Sequence, residues 1–342
     1  MDTSTNRKPP PAAGGVQTRT VAAADADQRL DRWFKRHFPQ VAHGHLEKLL
    51  RTGQVRVDGK RATAGLRLAE GQAVRVPPLG APPPPAADGT RPLSQRDAAF
   101  ARDLVIHRDE ALLILDKPAG LAVQGGTGTT RHVDGMLDAL RFGAAERPRL
   151  VHRLDRDTSG ILVIARSAAA ARFLGEAFRD KTVRKTYWAL VVGAPKLRRG
   201  KVDSPIAKRA TQKGERMVDA DEDDDDGQRA VTWYATLESA AGKASWLALM
   251  PETGRTHQLR VHCASVLGTP IFGDAKYGGP GAFIPGLDPK APLHLHARSI
   301  RLPHPAGGTL EATSPLPTHM RPAWTFFEFG EDDGDPFSEI HS

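Results

Sequence analysis

Short runs of apolar residues recur between residues 111 and 252 of the chain and predict β-strands. They occur in ALLILDKP, GILVIARS, TYWALVVG and ASWLALMPE. Their length and their content of Val, Ile, Leu and aromatic residues are typical of buried strands. Two other segments, SAAAARFLGEAFRDK and RHVDGMLDALRF, show the three-to-four-residue spacing of amphipathic helices.

The two helical segments also carry start signals and buried faces. Ser167 stands where an N-cap belongs. The first helix is expected to bury Phe173, Leu174, Ala177 and Phe178, and the second Val133, Met136, Leu137 and Leu140. Strands and helices alternate irregularly, which favours an α+β fold with a mixed, largely antiparallel sheet flanked by helices and loops over a doubly wound one.

A proline-rich stretch divides the chain, because four consecutive prolines in PPLGAPPPPAADGTRP exclude both helix and central strand. The 342 residues are enough for two domains. We predict a disordered tail at 1–27, a small αβ domain at 28–77, a linker at 78–103, a larger domain at 104–329 and an acidic tail at 330–342.

The positive charge is concentrated in the small domain. The chain has a net charge of +8, and residues 29–67 hold ten Lys and Arg against three Asp and Glu, a difference of +7. HGHLEKLLRTG predicts a short helix closed by Gly53, and QVRVDGKRA a β-hairpin with Asp58 and Gly59 in its turn. A phosphate backbone is the expected partner, and a basic surface that serves solubility is the alternative. The candidate RNA-binding residues are Lys48, Arg51, Arg56, Lys60 and Arg61.

Cysteine and hydropathy point to the cytoplasm. Cys263 is the single cysteine, which excludes an internal disulfide and fits a reducing compartment. No apolar run reaches membrane-spanning length, and the first 28 residues do not resemble a signal peptide. We therefore expect a cytoplasmic protein without a membrane partner.

The polar run in LVHRLDRDTSGILVIARS interrupts two apolar segments. The DTSG composition is typical of a tight turn, so Asp155 is expected on a loop at the lip of a buried sheet, between Arg153 and Arg156. A carboxylate that caps the turn and pairs with a neighbouring arginine is one interpretation. A protein-kinase catalytic loop is excluded because no glycine-rich phosphate loop precedes it and no Asp-Phe-Gly follows.

A second group of polar residues lies in PETGRTHQLRVHCASVLGTPIFGDAKYG. Thr256 is expected to cap a helix that ends at Gly268. Its apolar stripe would consist of Leu259, Cys263, Val266 and Leu267. Arg255, His257, Arg260 and His262 bring more cations than one short, half-buried helix needs unless an anion lies opposite.

Metal binding is not favoured by either candidate group. The histidines at 257, 262, 294 and 296 lack the spacing of a helical zinc pair. The acidic run from Asp219 to Gly227 has adjacent carboxylates that repel one another, as in a solvated hairpin tip. No metal site is predicted.

Several motifs together resemble the RluA-type pseudouridine synthases. HRLDRDTSG matches the defined positions of the family motif, and LDKPAGLAV, RKTYWALVVG, TGRTHQLRVH, GDAKYG and LHLHARSIRLPHP occur in the expected order. The basic N-terminal module resembles an S4 RNA-binding domain. This combination is similar to the bacterial large-subunit class of the RluC type, although RluD-like proteins share the architecture.

The resemblance implies isomerisation of uridine to pseudouridine within RNA, without a cofactor. It implies that Asp155 is the catalytic carboxylate, that Arg260 forms an ion pair with it, and that Tyr187 stacks on a flipped-out base. Substrate-binding candidates are His152, Arg153, Arg156, His257 and Leu259. The expected partner is 23S ribosomal RNA or the assembling large ribosomal subunit, and a monomer is the default oligomeric state. A non-catalytic RNA-binding assembly factor and a nucleotide or RNA hydrolase are the rivals.

Overall fold

The computed structural model describes residues 15–41, 43–79, 93–126, 129–211, 214–221, 224, 226–332 and 334–338. The chain divides into two compact units, residues 1–91 and 92–342. Within the part of the chain described, no helix has the length and hydropathy needed to cross a membrane.

The N-terminal unit is a small antiparallel sheet with two helices. Its elements are β1 (Gln17–Thr20), α1 (Leu30–His37), α2 (His43–Arg51), β2 (Arg56–Val57), β3 (Lys60–Arg61) and β4 (Ala73–Val76). The strand order is β1-β4-β2-β3. The apolar faces of both helices pack with Val55, Val57 and Val74 into one core. Residues 17–27 were predicted as tail, yet β1 pairs with β4 and Val21 is buried, so this unit begins earlier than expected.

The helix end and the hairpin turn of this unit follow the predicted chemistry. Gly53 takes a φ of +69° after α2, and the Gln54 amide donates to the Leu49 carbonyl at 2.9 Å. This geometry is a Schellman motif, which glycine favours because it has no Cβ. Asp58 and Gly59 also have positive φ, at 49° and 75°, in the turn of the β2–β3 hairpin. Both predictions are confirmed.

The C-terminal unit has five α-helices and twelve strands among its described residues. The helices are α3 (Gln95–Asp103), α4 (Val133–Met136), α5 (Ala168–Arg179), α6 (Gln258–Val261) and α7 (Arg321–Phe327). The strands are β5 (Val105–Arg108), β6 (Leu112–Lys117), β7 (Arg149–Leu150), β8 (Ser159–Ala165), β9 (Arg184–Val192), β10 (Arg199–Asp203), β11 (Ile206–Thr211), β12 (Gly214–Asp219), β13 (Val231–Ala240), β14 (Ala244–Pro251), β15 (Leu295–Pro303) and β16 (Thr309–Thr313).

One large mixed sheet organises this unit. Its order is β10-β13-β14-β9-β15-β8-β6-β5, with β16 beside β15 and β7 beside β8. The β15–β8 pair is parallel and the other neighbours are antiparallel. Strands β11 and β12 form a separate hairpin. The predicted α+β class with a largely antiparallel mixed sheet is confirmed.

The parallel junction between β8 and β15 requires the glycine of the DTSG turn. Gly160 pairs with Ala297 and has a φ of +100°. A Cβ at this position would lie 2.3 Å from the Ala297 carbonyl oxygen. Any side chain would therefore push β8 away from the centre of the sheet. The loop that precedes β8 starts from this fixed point.

The predicted helices are largely confirmed. Ser167 caps α5, since its hydroxyl accepts a hydrogen bond from the Ala170 amide at 3.1 Å. Leu174 and Ala177 are buried, but Phe173 is 39% exposed, so its predicted place in the core is wrong. The second helical segment consists of α4 followed by a 3₁₀ turn from Leu137 to Leu140, and its four predicted core residues are buried.

The predicted start of the larger domain also changes. Residues 95–103 were placed in the linker but form α3, which Ser94 caps through the Asp97 amide at 3.0 Å. The proline-rich residues 80–92 lie outside the described part of the chain.

The segment predicted as an acidic tail is packed against the sheet. Phe337 is 1% exposed and joins Ala235, Ala248 and Met250 in an apolar cluster. Asp335 pairs with Arg184 at 2.6 Å. Hydrophobicity at one position, rather than the acidic composition, decides where this segment lies.

Replacing Phe337 with Ala is expected to release this segment while the sheet stays folded. Phe-to-Ala substitutions in packed sites cost about 3 kcal/mol or more. Hydrogen exchange at the Ser338 amide, which donates to the Asp335 carbonyl, should therefore accelerate by about 100-fold. Phe326→Ala is the control, because Phe326 is 52% exposed. Unchanged protection in Phe337→Ala would show that Phe337 does not anchor the segment.

Candidate active site

A cleft of about 900 Å³ opens in the C-terminal unit. It is bounded by the loop before β8, by the end of α5 and the start of β9, and by the turn between β14 and α6. The three residues that the sequence predicted to be catalytic line this cleft: Asp155, Tyr187 and Arg260. The fold thus brings together motifs that are more than 100 residues apart in the chain.

Asp155 lies in the tight turn that the sequence predicts. The Thr158 amide donates to the Asp155 carbonyl at 3.2 Å and closes the turn. The side chain of Asp155 is 22% exposed, and it faces the cleft rather than the core. A nucleoside that enters the cleft can therefore reach this carboxylate.

Lys117 holds the backbone of the loop that carries Asp155. The sequence did not single it out as a site residue. Its ammonium, at the buried end of β6, donates hydrogen bonds to the carbonyls of Pro118, Leu121 and Arg156 at 2.9–3.0 Å. Burial lowers the pKa of Lys117 to about 8, and the charges of Asp157 and, to a smaller extent, Asp155 oppose that shift. The available signal was the charged pair Asp116 and Lys117 at the end of an apolar strand. Charged side chains are buried only when they are paired or fully hydrogen-bonded.

Tyr187 extends from β9 toward the carboxylate. It packs with Leu259 in one apolar cluster, and both residues line the cleft. Burial raises the pKa of Tyr187 well above its usual range, and the nearby charge of Asp155 raises it further. Tyr187 is therefore a neutral phenol beside the carboxylate, and its ring is available to stack on a nucleobase.

His257 lies between Asp155 and a second tyrosine. Its Nε2 is 3.8 Å from Asp155 Oδ2, and its Nδ1 is 2.7 Å from the hydroxyl of Tyr277. Burial lowers the pKa of His257, which favours the neutral ring. His257 has a left-handed φ of +56° and is the N-cap residue of α6. The prediction that Thr256 caps this helix is wrong.

Gln258 fixes the turn that presents His257. Its carbonyl oxygen accepts from the Thr253 hydroxyl at 2.7 Å and from the Arg255 amide at 3.1 Å. Its amide nitrogen donates to the Val231 carbonyl and the Thr232 hydroxyl, both at 2.9 Å. A buried glutamine with all these partners cross-links the turn to β13, and it offsets the cost of the left-handed residue, about 1 kcal/mol. Beyond α6 the helical segment continues as a π-helical turn from His262 to Val266 and stops just before Gly268, which has a φ of +68°, as predicted.

Arg260 does not form the predicted ion pair with Asp155. Its guanidinium makes two hydrogen bonds to Asp274, at 2.8 and 2.7 Å, and the two side chains are 7% and 1% exposed. Geometry explains the difference, because Asp274 offers both carboxylate oxygens to the planar fork of the guanidinium. Burial opposes the charge of Arg260, but Asp274 raises its pKa, and Asp155 lies close enough to add to that rise.

The residues around Asp155 in the HRLDR motif separate into different environments. His152 accepts a hydrogen bond from the Val163 amide at 2.8 Å and stacks on Phe178. Burial lowers its pKa to about 3, so it offers no positive charge to a phosphate. Arg153 is exposed and lines the cleft, whereas Arg156 donates to the Gly120 carbonyl and is not among the lining residues.

The cleft walls are strongly basic. Eight Lys and Arg residues line the cleft against two carboxylates, Asp155 and Glu252. Five of these cations were not named as candidates from the sequence: Arg179, Lys181, Arg184, Lys185 and Arg301. The run FRDKTVRK carries four of them and was the available signal, but only the fold shows that Arg301 of β15 lies with them. The field of such a cleft attracts polyanions.

The predicted RNA-binding residues of the N-terminal unit are exposed at α2 and the β2–β3 hairpin. Arg56 and Arg61 are directly opposed across the two-stranded ladder, an unfavourable pairing of like charges. Arg56 also donates to the carbonyls of Gly53 and Gly59, which ties the hairpin to the end of the helix. The helix end and the hairpin therefore lie together, while RNA binding by these residues stays a prediction.

The acidic run after β12 pairs with the β11–β12 hairpin. Arg209 contacts both Asp224 and Asp226. In the described part of the chain no three His, Cys, Asp or Glu residues are grouped as metal ligands. The single cysteine is buried, and its burial raises the thiol pKa to about 12.

Comparison with known proteins gives a consistent result. Residues 111–265 match the family model described as RNA pseudouridylate synthase. The chain is 35% identical to RNA pseudouridine synthase 4, mitochondrial, of Arabidopsis thaliana, with 85% of this chain and 77% of that protein covered. The chain belongs to the RNA pseudouridine synthase family.

Other relatives agree with this assignment. The chain is 37% identical to ribosomal large subunit pseudouridine synthase C of Rickettsia typhi, covering 80% of this chain and 88% of the relative. The solved structure of Human RNA Pseudouridylate Synthase Domain Containing 4 superposes with a TM-score of 0.57 at 32% identity, covering 68% of this chain and 97% of that one. The predicted family is confirmed, and the chain is an isomerase of the pseudouridine synthase type. An S4 domain stays a prediction.

Replacing Arg260 with Met is expected to lower both stability and turnover. The change leaves the Asp274 carboxylate buried without its partner, which costs about 3–5 kcal/mol of the free energy of unfolding. Urea denaturation measures that loss, and turnover should fall sharply while RNA affinity changes little. Arg321→Met is the control, because Arg321 pairs with Glu331 at the surface and does not line the cleft, and such pairs contribute about 1 kcal/mol or less. Wild-type stability and turnover in Arg260→Met would contradict both roles of Arg260.

Proposed function

We propose that this chain isomerises uridine to pseudouridine in large-subunit ribosomal RNA, with Asp155 as the catalytic carboxylate. One observation carries the proposal: a single turn aims Asp155 into a basic cleft, beside the neutral phenol of Tyr187. The relatives named ribosomal large subunit pseudouridine synthase C support the choice of ribosomal RNA. The predicted cytoplasmic location and monomeric state stay predictions.

The reaction needs one carboxylate and no redox partner. The bond between N1 of uracil and C1′ of ribose breaks, the uracil turns in the cleft, and C5 bonds to C1′. C5 then loses its proton and N1 gains one, so atoms and electrons balance. Asp155 is placed to stabilise positive charge at the sugar or to act as a nucleophile or base.

The cleft suits a nucleotide that has left its RNA structure. C1′ and C5 are hidden in a stacked or paired uridine, so the target has to be extruded, at a cost of a few kcal/mol. Tyr187 offers a ring to the extruded base, and Leu259 an apolar contact beside it. Arg153, with the cations of the walls, is positioned for the flanking phosphates.

The N-terminal unit has a separate role in this proposal. The cleft contacts one base, so recognition of the surrounding RNA has to come from other surfaces. The exposed cations on α2 and on the β2–β3 hairpin are the S4-like candidates for that contact. A non-catalytic RNA-binding factor is the alternative, but it would not need a carboxylate directed into the cleft.

Replacing Asp155 with Asn tests the proposed function directly. The wild-type chain, incubated with 23S transcript that carries tritium at C5 of uridine, should release tritium to solvent. Asp155→Asn should lower that release by about 1,000-fold, because the amide carries no charge. Asp103→Asn is the control, since Asp103 is an exposed carboxylate at the end of α3 and does not line the cleft.

The other outcomes of the tritium assay separate the rivals. RNA cleavage by the wild-type chain would indicate a hydrolase. Binding of the transcript without tritium release would indicate a non-catalytic RNA-binding protein. Equal release by the wild-type chain and Asp155→Asn would exclude Asp155 as the catalytic carboxylate.

Replacing both Lys48 and Arg51 with Gln tests the role of the N-terminal unit. If both side chains contact phosphates, the slope of log affinity against log salt concentration should decrease by about two. Tritium release at saturating RNA should stay close to wild type, because the cleft is unchanged. Lys243→Gln, at an exposed turn between β13 and β14, is the control. An unchanged salt slope in the double variant would exclude these two residues from the RNA interface.

A further inference from the structure

Tyr277 and His257 form a connected pair that ends at the catalytic carboxylate. The Tyr277 hydroxyl lies 2.7 Å from His257 Nδ1, and His257 Nε2 lies 3.8 Å from Asp155 Oδ2. Tyr277 is not among the residues that line the cleft. Any effect of its hydroxyl on a substrate in the cleft would therefore pass through the imidazole.

We propose that Tyr277 is a positioning residue: its hydroxyl orients the neutral His257 ring so that the Nε2 proton faces Asp155. This inference rests on the proposed catalytic role of Asp155. Neither family motif nor charge pattern assigned a role to Tyr277, which the sequence offers only as part of GDAKYG.

The surroundings of both nitrogen atoms favour the same tautomer. Burial raises the pKa of Tyr277, so its hydroxyl keeps its proton. A protonated phenol can donate to Nδ1, which lies 2.7 Å away. On the other side of the ring, a carboxylate only accepts hydrogen bonds, so Asp155 favours a proton on Nε2.

Contacts with neighbouring side chains fix the Tyr277 ring, and with it the position of the hydroxyl that faces His257. Arg216 of β12 lies 4.7 Å from the ring centroid, and Arg260 lies 5.0 Å from it. Asp274, the partner of Arg260, accepts a hydrogen bond from the Tyr277 backbone amide at 3.1 Å. The buried ion pair thus contributes to the site by fixing Tyr277, in addition to its effect on stability.

The gap between Nε2 and Asp155 fits a contact that tightens with substrate. At 3.8 Å it exceeds hydrogen-bond length by about 1 Å. Catalytic hydrogen bonds are often long before substrate binds. The left-handed backbone of His257 places the ring in this gap, and strained conformations of this kind are concentrated at functional sites.

Protonation of His257 would change the state of Asp155. An imidazolium would form a close ion pair with the carboxylate and withdraw its charge from the substrate. The charged and titratable groups that face His257 are Asp155, Arg260, Asp274, Lys276 and Tyr277. Their combined effect with burial is a pKa below the usual value for histidine, so the neutral ring predominates at neutral pH.

The first test is Tyr277→Phe, which removes only the hydroxyl, in the full-length chain. Single-turnover tritium release should fall by about tenfold or more, with the KM for RNA within twofold of wild type, because the ring loses its orientation but RNA contacts remain. The acid limb of the pH–rate profile should also shift to higher pH, since water that reaches Nδ1 reduces the desolvation of His257 and raises its pKa.

Tyr234→Phe is the matched control for that variant. Tyr234 lies in β13, is buried, and does not line the cleft. Its rate and acid limb should match those of wild type. A slower Tyr277→Phe with an unmoved acid limb would indicate a merely structural role and would overturn the inference. So would a wild-type rate in Tyr277→Phe.

Two changes at His257 separate the side chain from its backbone. Asn tolerates a left-handed φ well, but it is too short to reach Asp155. His257→Asn should therefore be at least as slow as Tyr277→Phe. The second change is His257→Gln, whose side-chain amide places an N–H near the position of Nε2. This variant should recover part of the tritium-release rate that His257→Asn loses. A wild-type rate in His257→Asn would show that only the backbone conformation matters.

These measurements remain distinguishable from a failure of the proposed function. If the wild-type chain releases no tritium, the proposed function fails and the inference falls with it. If wild type is active and Asp155→Asn is not, the proposed function stands, and the Tyr277 and His257 variants alone decide the inference.

Discussion

The ammonium of Lys117 holds the backbone on which the rest of the site depends. Its three hydrogen bonds end on carbonyls from two separate segments, one after β6 and one beside Asp155. Gly160 fixes the other end of the same loop against β15. A carboxylate at the lip of an apolar sheet can stay exposed and ordered because the backbone behind it is fully bonded.

The electrostatics of the site are divided among residues with different tasks. Arg260 is bonded to Asp274 and contributes positive potential to Asp155 from a distance. His257 is neutral and lies nearer to Asp155, so it directs an N–H toward the carboxylate without adding a positive charge. A direct Arg–Asp pair would hold the carboxylate in a strong bidentate bond and make it less available to a sugar. Because Arg260 supplies the positive potential and His257 the oriented N–H, the oxygens of Asp155 stay open to the cleft.

Exposed or cleft-lining cations occur in both units. The basic walls of the cleft belong to the C-terminal unit, and the exposed cations of α2 and the β2–β3 hairpin to the N-terminal unit. Two acidic segments lie against basic residues of the C-terminal unit. Asp335 pairs with Arg184 on the cleft wall, and the run after β12 pairs with Arg209. Both contacts reduce the local positive charge.

Local sequence determined the elements of this protein: the strands, the Ser167 cap, the helix end at Gly53, and the Asp155 turn. Motif resemblance determined the family. The elements depend on residues that are close together in the chain. The family follows from the order of its sequence motifs, which needs no three-dimensional arrangement. Only the tertiary structure decided the partner of Arg260, the burial of Lys117 and Phe337, the cap at His257, and the meeting of His257 with Tyr277. Each depends on which side chains from distant segments face one another, and hydrophobic periodicity carries no information about that.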